Sequence, residues 1–381
     1  MAVRWPRGFR SAAAAAGIKS GGELDFALLA TEAPAPWAGA FTRNAAAAPC
    51  VTWSRGLLGK PVRALSVNSG NANCCTGGQG QEAVVSTARA VAGELGCSPD
   101  EVLVASTGPI GVPLRVELLL DAVPALVGSV AADATPFARA ILTTDTVIKT
   151  SELVLGGASI AGVAKGAAMI QPNMATMLAF ITTDAQVPAE SMQPAFERVV
   201  ARTFNRISVD ACESTNDSAF LLSTGLGARV APGDFEHALQ SVCADLAGQI
   251  VRDAEGGTRV VRIAVSGAPN EQAALRLGRA VAASTLWRAA AHGGDPNWGR
   301  VVSALGSADS SLDLGALEVN IGGEAVFTRG EPRASCAKAA AAMRADEFTV
   351  ECVVGAGRAA AEILSCDLSP AYVRLNAGGT T

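Results

Sequence analysis

The sequence predicts a mixed α/β (α+β) fold, and two observations support this prediction. Predicted strands and helices alternate along the 381 residues without a repeat period, which is typical of layered mixed folds. A chain of this length can bury one large core and a smaller second one. We therefore expect a main body over residues 1–308 and a smaller lobe over 309–381, with a hinge at 306–311.

Turn-forming residues separate the predicted elements in the first half of the chain. An Asn- and Gly-containing turn at 68–73 and a Ser-Thr-Gly-Pro turn at 106–109 each follow a short run of apolar and β-branched residues. Pro113 suits the first position of a helix. The predicted elements are a strand at 62–67, a helix at 81–95, a strand at 101–105 and a helix beginning at residue 113.

Hydrophobic periodicity predicts the elements of the second half. An apolar run at 177–181 follows a loop that contains Gly and Pro, so it is predicted to be a buried strand. Helices are predicted at 189–203, 235–252, 272–291 and 334–344, and strands at 259–265, 314–321 and 348–354.

Composition and charge exclude several classes of function. The net charge is −5, and no basic stripe is present to neutralise phosphates, which argues against nucleic-acid binding. No apolar run approaches the roughly 20 residues that span a bilayer. Residues 1–22 are basic, Ala-rich and free of acidic residues, as transit peptides are, but we interpret them as part of the folded protein.

Nine cysteines and two histidines are present, and no Cys-x-x-Cys pair occurs. This spacing predicts neither a zinc site nor a disulfide framework. Reduced thiols are typical of the cytoplasm, so we expect the protein to act there.

The most informative stretch is 165–178, which reads KGAAMIQPNMATML. Thr176 follows the small residue Ala175 where a loop meets the apolar run. A threonine at the start of a strand is ordinary by itself, because β-branched residues favour strands. If the Ala175–Thr176 bond were cut, however, Thr176 would carry both a nucleophilic hydroxyl and an amine base.

This stretch closely resembles the self-cleaving segment of the ornithine acetyltransferase (glutamate N-acetyltransferase) family. Further matches run in order from about Pro6 to Thr381, including the segments VASTGPIG at 104–111, TTDT at 143–146 and VRDAEGG at 251–257. The resemblance implies an N-terminal-nucleophile-like layered α-β-β-α sandwich with a smaller C-terminal α/β lobe. It also implies that the tail of this lobe returns to the active site.

The resemblance also implies an activity: self-cleavage between Ala175 and Thr176, then transfer of acetyl from N2-acetyl-L-ornithine to L-glutamate through an acetyl-threonine. The chains 1–175 and 176–381 would stay associated as α₂β₂, without metal or organic cofactor, and use of acetyl-CoA as a further donor stays open. The implied nucleophile is Thr176 and the implied oxyanion hole is Thr107 with Gly108. The implied substrate contacts are Thr143, Lys165, Thr176, Glu255, Asn376 and Thr381.

Two segments depart from the family pattern, and alternatives therefore stay open. Residues 211–213 read Ala-Cys-Glu where the family usually has Gly-Asp-Thr, and Gly378-Gly379 replaces an acidic-aromatic pair. The alternatives are a related amidohydrolase or aminopeptidase, an acyltransferase of a specialised pathway, and a non-enzymatic binding or structural protein whose threonine never matures. A Gly-x-Gly-x-x-Ala motif at 355–360 mimics a dinucleotide fingerprint. Too little chain follows it for a Rossmann unit, so it is predicted to be a strand-to-helix turn.

Overall fold

The structure is a computed structural model that describes residues 3–171, 177–333 and 336–378. The strands are β1 (Phe9–Ala14), β2 (Phe26–Ala35), β3 (Trp37–Phe41), β4 (Val62–Ser69), β5 (Val102–Thr107), β6 (Lys149–Leu155), β7 (Ala158–Lys165), β8 (Leu178–Thr183), β9 (Ile207–Ser208), β10 (Ser218–Ser223), β11 (Val260–Ala268), β12 (Glu318–Ile321), β13 (Glu324–Thr328), β14 (Glu331–Pro332), β15 (Glu347–Val353) and β16 (Ala359–Cys366).

Helices connect these strands on both sides of the sheets. They are α1 (Pro49–Gly56), α2 (Gly78–Leu95), α3 (Val116–Gly128), α4 (Thr135–Ala140), α5 (Ala189–Arg202), α6 (Pro232–Arg252), α7 (Glu271–Ala283), α8 (Thr285–Gly293), α9 (Trp298–Ala308), α10 (Ala337–Ala342) and α11 (Pro370–Ala377). Among the described residues, no helix is both long enough and apolar enough to cross a membrane.

Two sheets form the centre of the molecule. The first has the strand order β1-β2-β4-β5 and carries α2 and α3 against it. The second has the order β3-β10-β8-β7-β6 and packs α5 and α6 against one face. Its other face presents Phe180 and Phe220, stacked with centroids 5.7 Å apart, to the core that it shares with the first sheet. The order of layers is α-β-β-α, as the resemblance implies.

A third sheet, with the order β14-β13-β12-β15-β11-β16-β9, forms the C-terminal part. Its core includes apolar residues of α7, α8 and α9. In this sheet β11 lies between β15 and β16, parallel to the first and antiparallel to the second. Strand β11, which precedes position 308, is therefore hydrogen-bonded to β15 and β16, which follow it. The domain boundary at 308/309 stays a prediction.

Three local predictions from the sequence were wrong. Pro113 does not begin a helix: α3 begins at Val116, and the carbonyls of Val112 and Pro113 instead accept from the side chain of Asn71. The helix expected at 272–291 is two helices, because Ser284 caps a new one by accepting from the Trp287 N–H. The turn after β15 leads into a strand, β16, rather than into a helix.

Candidate active site

A cavity of about 670 Å³ collects the predicted site residues that the structure describes. It lies where β5 and β7 end, and it is closed by the loop at residues 18–23 and by α11. The residues that line it include Thr107, Gly108, Thr143, Lys165, Glu255 and Asn376. The predicted residues Ala175, Thr176 and Thr381 lie outside the described residues.

Lys165 connects two of the threonines that line the cavity. Its Nζ donates to Thr143 Oγ1 at 2.7 Å and lies 3.3 Å from Thr107 Oγ1. Only 11% of the Lys165 side chain is exposed, and this burial lowers the pKa of its ammonium, although Asp145 opposes the shift. A largely desolvated cation is a strong partner for a carboxylate, so this corner of the cavity suits an anionic group.

A buried ion network holds Lys165 and its neighbours in place. Lys149 Nζ lies 2.7 Å from Asp145 Oδ1 and 2.5 Å from Asp253 Oδ2, and the side chains of Lys149 and Asp145 are not exposed at all. Asp145 also accepts from the N–H of Gly166 at 2.6 Å and lies 3.8 Å from Lys165 Nζ. Burial by itself would raise the pKa of Asp145, but the two ammonium groups, together with the hydrogen bonds from Lys149 and the Gly166 N–H, outweigh it and lower the pKa. Asp145 is therefore an anion that fixes the end of β7.

Gly108 follows β5 in a conformation that favours glycine. Its φ is +139°, and a Cβ at this position would lie 2.4 Å from the backbone nitrogen of Asn71. That nitrogen donates to the carbonyl oxygen of Thr107 at 3.0 Å. The close approach of the two chain segments therefore requires glycine, and it holds the Thr107–Gly108 turn at the cavity wall.

Glu255 and α11 form the opposite wall. Glu255 is 8% exposed, and its Oε2 accepts from Asn376 Nδ2 at 2.9 Å. Its Oε1 is buried without a hydrogen-bond partner among the described residues. A buried, unpaired carboxylate oxygen is costly, so it indicates a site for a donor that a ligand would supply.

Asp210 anchors the chain that leads towards the predicted cleavage site. Its carboxylate accepts from the N–H of Met169 at 2.6 Å and of Ile170 at 2.8 Å, and from the hydroxyl of Tyr372 at 3.3 Å. Burial, together with this carboxylate, raises the pKa of Tyr372. Met169 and Met177, which stand on either side of residues 172–176, both line the cavity.

Sequence reasoning gave no role to several residues that shape this site. Asp145 and Asp210 lie in segments that match the family, and an acid beside turn-forming residues is the signal that could have identified them. Lys149 and Tyr372 carried no such signal.

No group of three or more His, Cys, Asp or Glu side chains suited to a metal occurs in the described part of the chain.

Comparison with known proteins identifies the family. The ArgJ family model matches residues 10–381. The chain belongs to the ArgJ family. This is the ornithine acetyltransferase (glutamate N-acetyltransferase) family that the sequence resembles, so the prediction of family is confirmed.

Curated ArgJ relatives match over the full length of the chain. The arginine biosynthesis bifunctional protein ArgJ of Thermus thermophilus is 46% identical, with 100% of both chains covered. The protein of the same name from Deinococcus radiodurans is 43% identical over 100% of this chain and 98% of its own. A solved ArgJ structure from Bacillus halodurans is 35% identical with a TM-score of 0.51, and the match covers 54% of this chain and 100% of that one. The predicted mixed α/β, N-terminal-nucleophile-like fold is thereby confirmed.

Proposed function

We propose that this ArgJ-family chain cleaves itself and transfers acetyl from N2-acetyl-L-ornithine to L-glutamate. It is an acetyltransferase of arginine biosynthesis, as its family membership shows. The observation that carries the proposal is the position of the Lys165 ammonium beside the hydroxyls of Thr107 and Thr143. These groups share one cavity with Met177, the residue next to the predicted nucleophile.

Maturation is the first chemical step. The Oγ of Thr176 attacks the carbonyl carbon of Ala175, and the peptide bond rearranges to an ester. Water then hydrolyses this ester, which releases the carboxyl group of Ala175 and frees the Thr176 hydroxyl. The products are an α chain of residues 1–175 and a β chain of residues 176–381, and the second begins with a free α-amine.

Acetyl transfer then proceeds in two halves. The α-amine of Thr176, with a reference pKa of about 7.7–8.0, accepts the hydroxyl proton as Oγ attacks the acetyl carbonyl. Ornithine leaves with that proton, and acetyl-threonine remains. The amine of glutamate attacks this ester and regenerates Thr176. In both halves Thr107 and Gly108 stabilise the oxyanion. Because Lys165 donates to Thr107 Oγ1, the hydrogen of the Thr107 hydroxyl is free to point into the cavity.

The same cavity can hold the α-amino-acid end of either substrate. Lys165, with Thr143 beside it, provides the cation for the α-carboxylate. The unpaired Oε1 of Glu255 provides an acceptor for the amino end, and Asn376 orients that carboxylate through Oε2. The C-terminal Thr381 is a further proposed substrate contact.

We further propose that the reaction needs no metal or organic cofactor. The amide bond that is broken in N-acetylornithine and the amide bond that is formed on glutamate are similar in free energy, so no activated thioester is required. Acetyl-CoA as an additional donor is an open part of this proposal. We also propose that α and β chains of the same precursor assemble as α₂β₂ and act in the cytoplasm.

Intact mass measurement with N-terminal sequencing tests the maturation step. We expect two chains, one of which begins Thr-Met-Leu-Ala-Phe, and we expect the Thr176→Ala variant to stay uncut and inactive. An uncut wild-type chain, indistinguishable from Thr176→Ala, would overturn the proposal. Release of acetate without glutamate-dependent transfer would instead indicate the related amidohydrolase.

A further inference from the structure

The loop at residues 16–23 forms a charged wall of the cavity that the proposed chemistry leaves without a role. Lys19 and Glu23 both line the cavity. The loop is fixed by the carboxylate of Asp25, which is 0% exposed. That carboxylate accepts from the N–H of Ala16 at 2.6 Å, of Gly17 at 3.1 Å and of Lys19 at 2.9 Å. The backbone of Lys19 is therefore held firmly.

The side chain of Lys19 is also held in place. Its Nζ donates to the carbonyl oxygen of Leu24 at 3.1 Å and to that of Leu142, the residue before Thr143, at 2.7 Å. An ammonium has three donors, so one remains for an acceptor in the cavity. Burial lowers the pKa of Lys19, and the charge of Lys165 contributes to the same shift. The ammonium groups of Lys19 and Lys165 contact consecutive residues, Leu142 and Thr143, so the two cations lie on the same side of the cavity.

Two cations exceed what a substrate with one carboxylate needs. Lys165 suffices for the α-carboxylate of either substrate, so the proposed function leaves Lys19 without a role. The carboxylate of Asp210, which also lines the cavity, already accepts from backbone N–H groups. Glutamate carries a second carboxylate at the end of its side chain, whereas N-acetylornithine carries an ammonium there. A cavity that accepts both in turn must accommodate either charge at the side-chain end.

We propose that Lys19 binds the side-chain carboxylate of the glutamate acceptor, and that Glu23 of the same loop attracts the side-chain ammonium of the donor. This inference rests on the proposed function and adds specificity to it. The loop offers both charges from one fixed wall, so neither substrate requires the wall to rearrange. Lys19 thereby determines the preference for an acidic acceptor.

The test compares glutamate with glutamine, which has the same shape but no side-chain charge. Acetyl-enzyme formation from N-acetylornithine is followed by mass, and its discharge by each acceptor is measured separately. For Lys19→Gln we expect the preference for glutamate over glutamine to fall about tenfold or more, the usual worth of a charge-assisted hydrogen bond. Acetyl-enzyme formation should change less than about threefold, because the proposal places Lys19 at the side-chain end of the substrate and not at the acetyl group.

Two further variants keep the test decisive. Lys19→Arg should retain most of the preference, and Lys60→Gln, an exposed lysine outside the cavity lining, should retain all of it. An unchanged preference in Lys19→Gln, or equal losses with both acceptors, would overturn the assignment of Lys19. If the wild type forms no acetyl-enzyme at all, it is the proposed function that fails.

The role of Glu23 is tested with the donor. N-acetylnorvaline matches N-acetylornithine in chain length but lacks the ammonium. We expect Glu23→Gln to lower the preference for N-acetylornithine over this analogue about threefold or more, since Glu23 is exposed and its charge is partly screened. An unchanged preference would overturn the assignment of Glu23.

Discussion

Individual residues of the cavity combine burial with charge, and Lys165 does so most clearly. Its ammonium is charged below its pKa and neutral above it, and burial lowers that pKa below the ordinary 10.5. Affinity for a substrate carboxylate should therefore be lost as pH rises through a value below 10.5. We expect KM for glutamate to rise on this alkaline side.

The Lys165→Arg variant separates this effect from other titrations. Arginine stays charged throughout the accessible range, so the rise in KM should move to higher pH or disappear. Lys165→Met should lower kcat/KM about 100-fold or more at neutral pH, because a charge-assisted contact is removed. A pH profile that is the same in Lys165→Arg and wild type would contradict this interpretation.

The proposed role of Thr107 in catalysis requires its hydroxyl and not its methyl group. Thr107→Ala removes the proposed oxyanion donor and should lower kcat about 10²–10³-fold with little change in KM. Thr107→Ser keeps the hydroxyl and should keep most of the rate. Steady-state kinetics of the matched pair decide the point: equal losses in both variants would assign Thr107 a packing role only.

At the scale of secondary-structure elements, the buried ion network around Lys149 holds the elements next to the cavity together. This lysine links the loop before β6 to the end of α6 by contacting Asp145 and Asp253. Lys149→Met would leave the carboxylate of Asp253 buried without this cation and Asp145 with Lys165 alone, so it should lower the free energy of unfolding by about 3–5 kcal/mol. Urea denaturation measures this change.

An exposed pair serves as the control for Lys149. Lys60 and Asp100 lie 2.9 Å apart with more than half of each side chain exposed. Lys60→Met should therefore change the unfolding free energy by less than about 1 kcal/mol. Similar losses in both variants would show that the buried network contributes no more than a surface pair.

Helix α11 is the element that brings the C-terminal part to the cavity, and Gly256 allows it to do so. Gly256 has φ +64°, and a Cβ there would lie 2.3 Å from the backbone nitrogen of Tyr372. Gly256→Ala should displace α11 with Asn376 and raise KM about fivefold or more, since a contact worth about 1 kcal/mol is lost.

Gly225 offers a matched control for this substitution. Its φ is +65°, but nothing lies within 4 Å of a Cβ built on it. Gly225→Ala therefore carries the same backbone strain, about 1–2 kcal/mol, without any displacement of α11. If both variants keep the wild-type KM, α11 does not position the substrate.

At the scale of the whole molecule, the two proposed chains are interleaved in the second sheet. Strands β3, β7 and β6 come from residues before position 175, and β10 and β8 come from residues after it. In the order β3-β10-β8-β7-β6 the later strands lie between the earlier ones. Cleavage therefore leaves hydrogen-bonded strands of both chains side by side.

We expect the cleaved chains to co-elute in size-exclusion chromatography and to unfold in a single transition. Phe180 and Phe220 of the later chain lie in the same core as Phe137 of the earlier one, so neither chain retains a complete core alone. The uncut Thr176→Ala variant should show a similar melting profile. Separation of the chains without denaturant would contradict this prediction.

The sequence predicted elements whose pattern is local and missed those that depend on distant contacts. The β-branched run of β11 identifies a strand without any knowledge of its neighbours. The helical period at 272–291 hid the break at Ser284, although a serine able to cap was visible. Lys165, Glu255 and Asn376 were predicted by resemblance alone, since only tertiary folding brings them to one cavity.

The pairing of Lys165 with Leu178 across β7 and β8 gives the intervening segment a temporary role in folding. In the precursor this segment is a tether that keeps the two strands at an effective concentration of roughly millimolar or above. Once the tether is cut, reassembly after full unfolding becomes bimolecular and slows as the protein is diluted. For a chain cleaved as proposed, we expect persistence to depend on slow unfolding rather than on repeated refolding, and the tether would then be a folding aid that is used once.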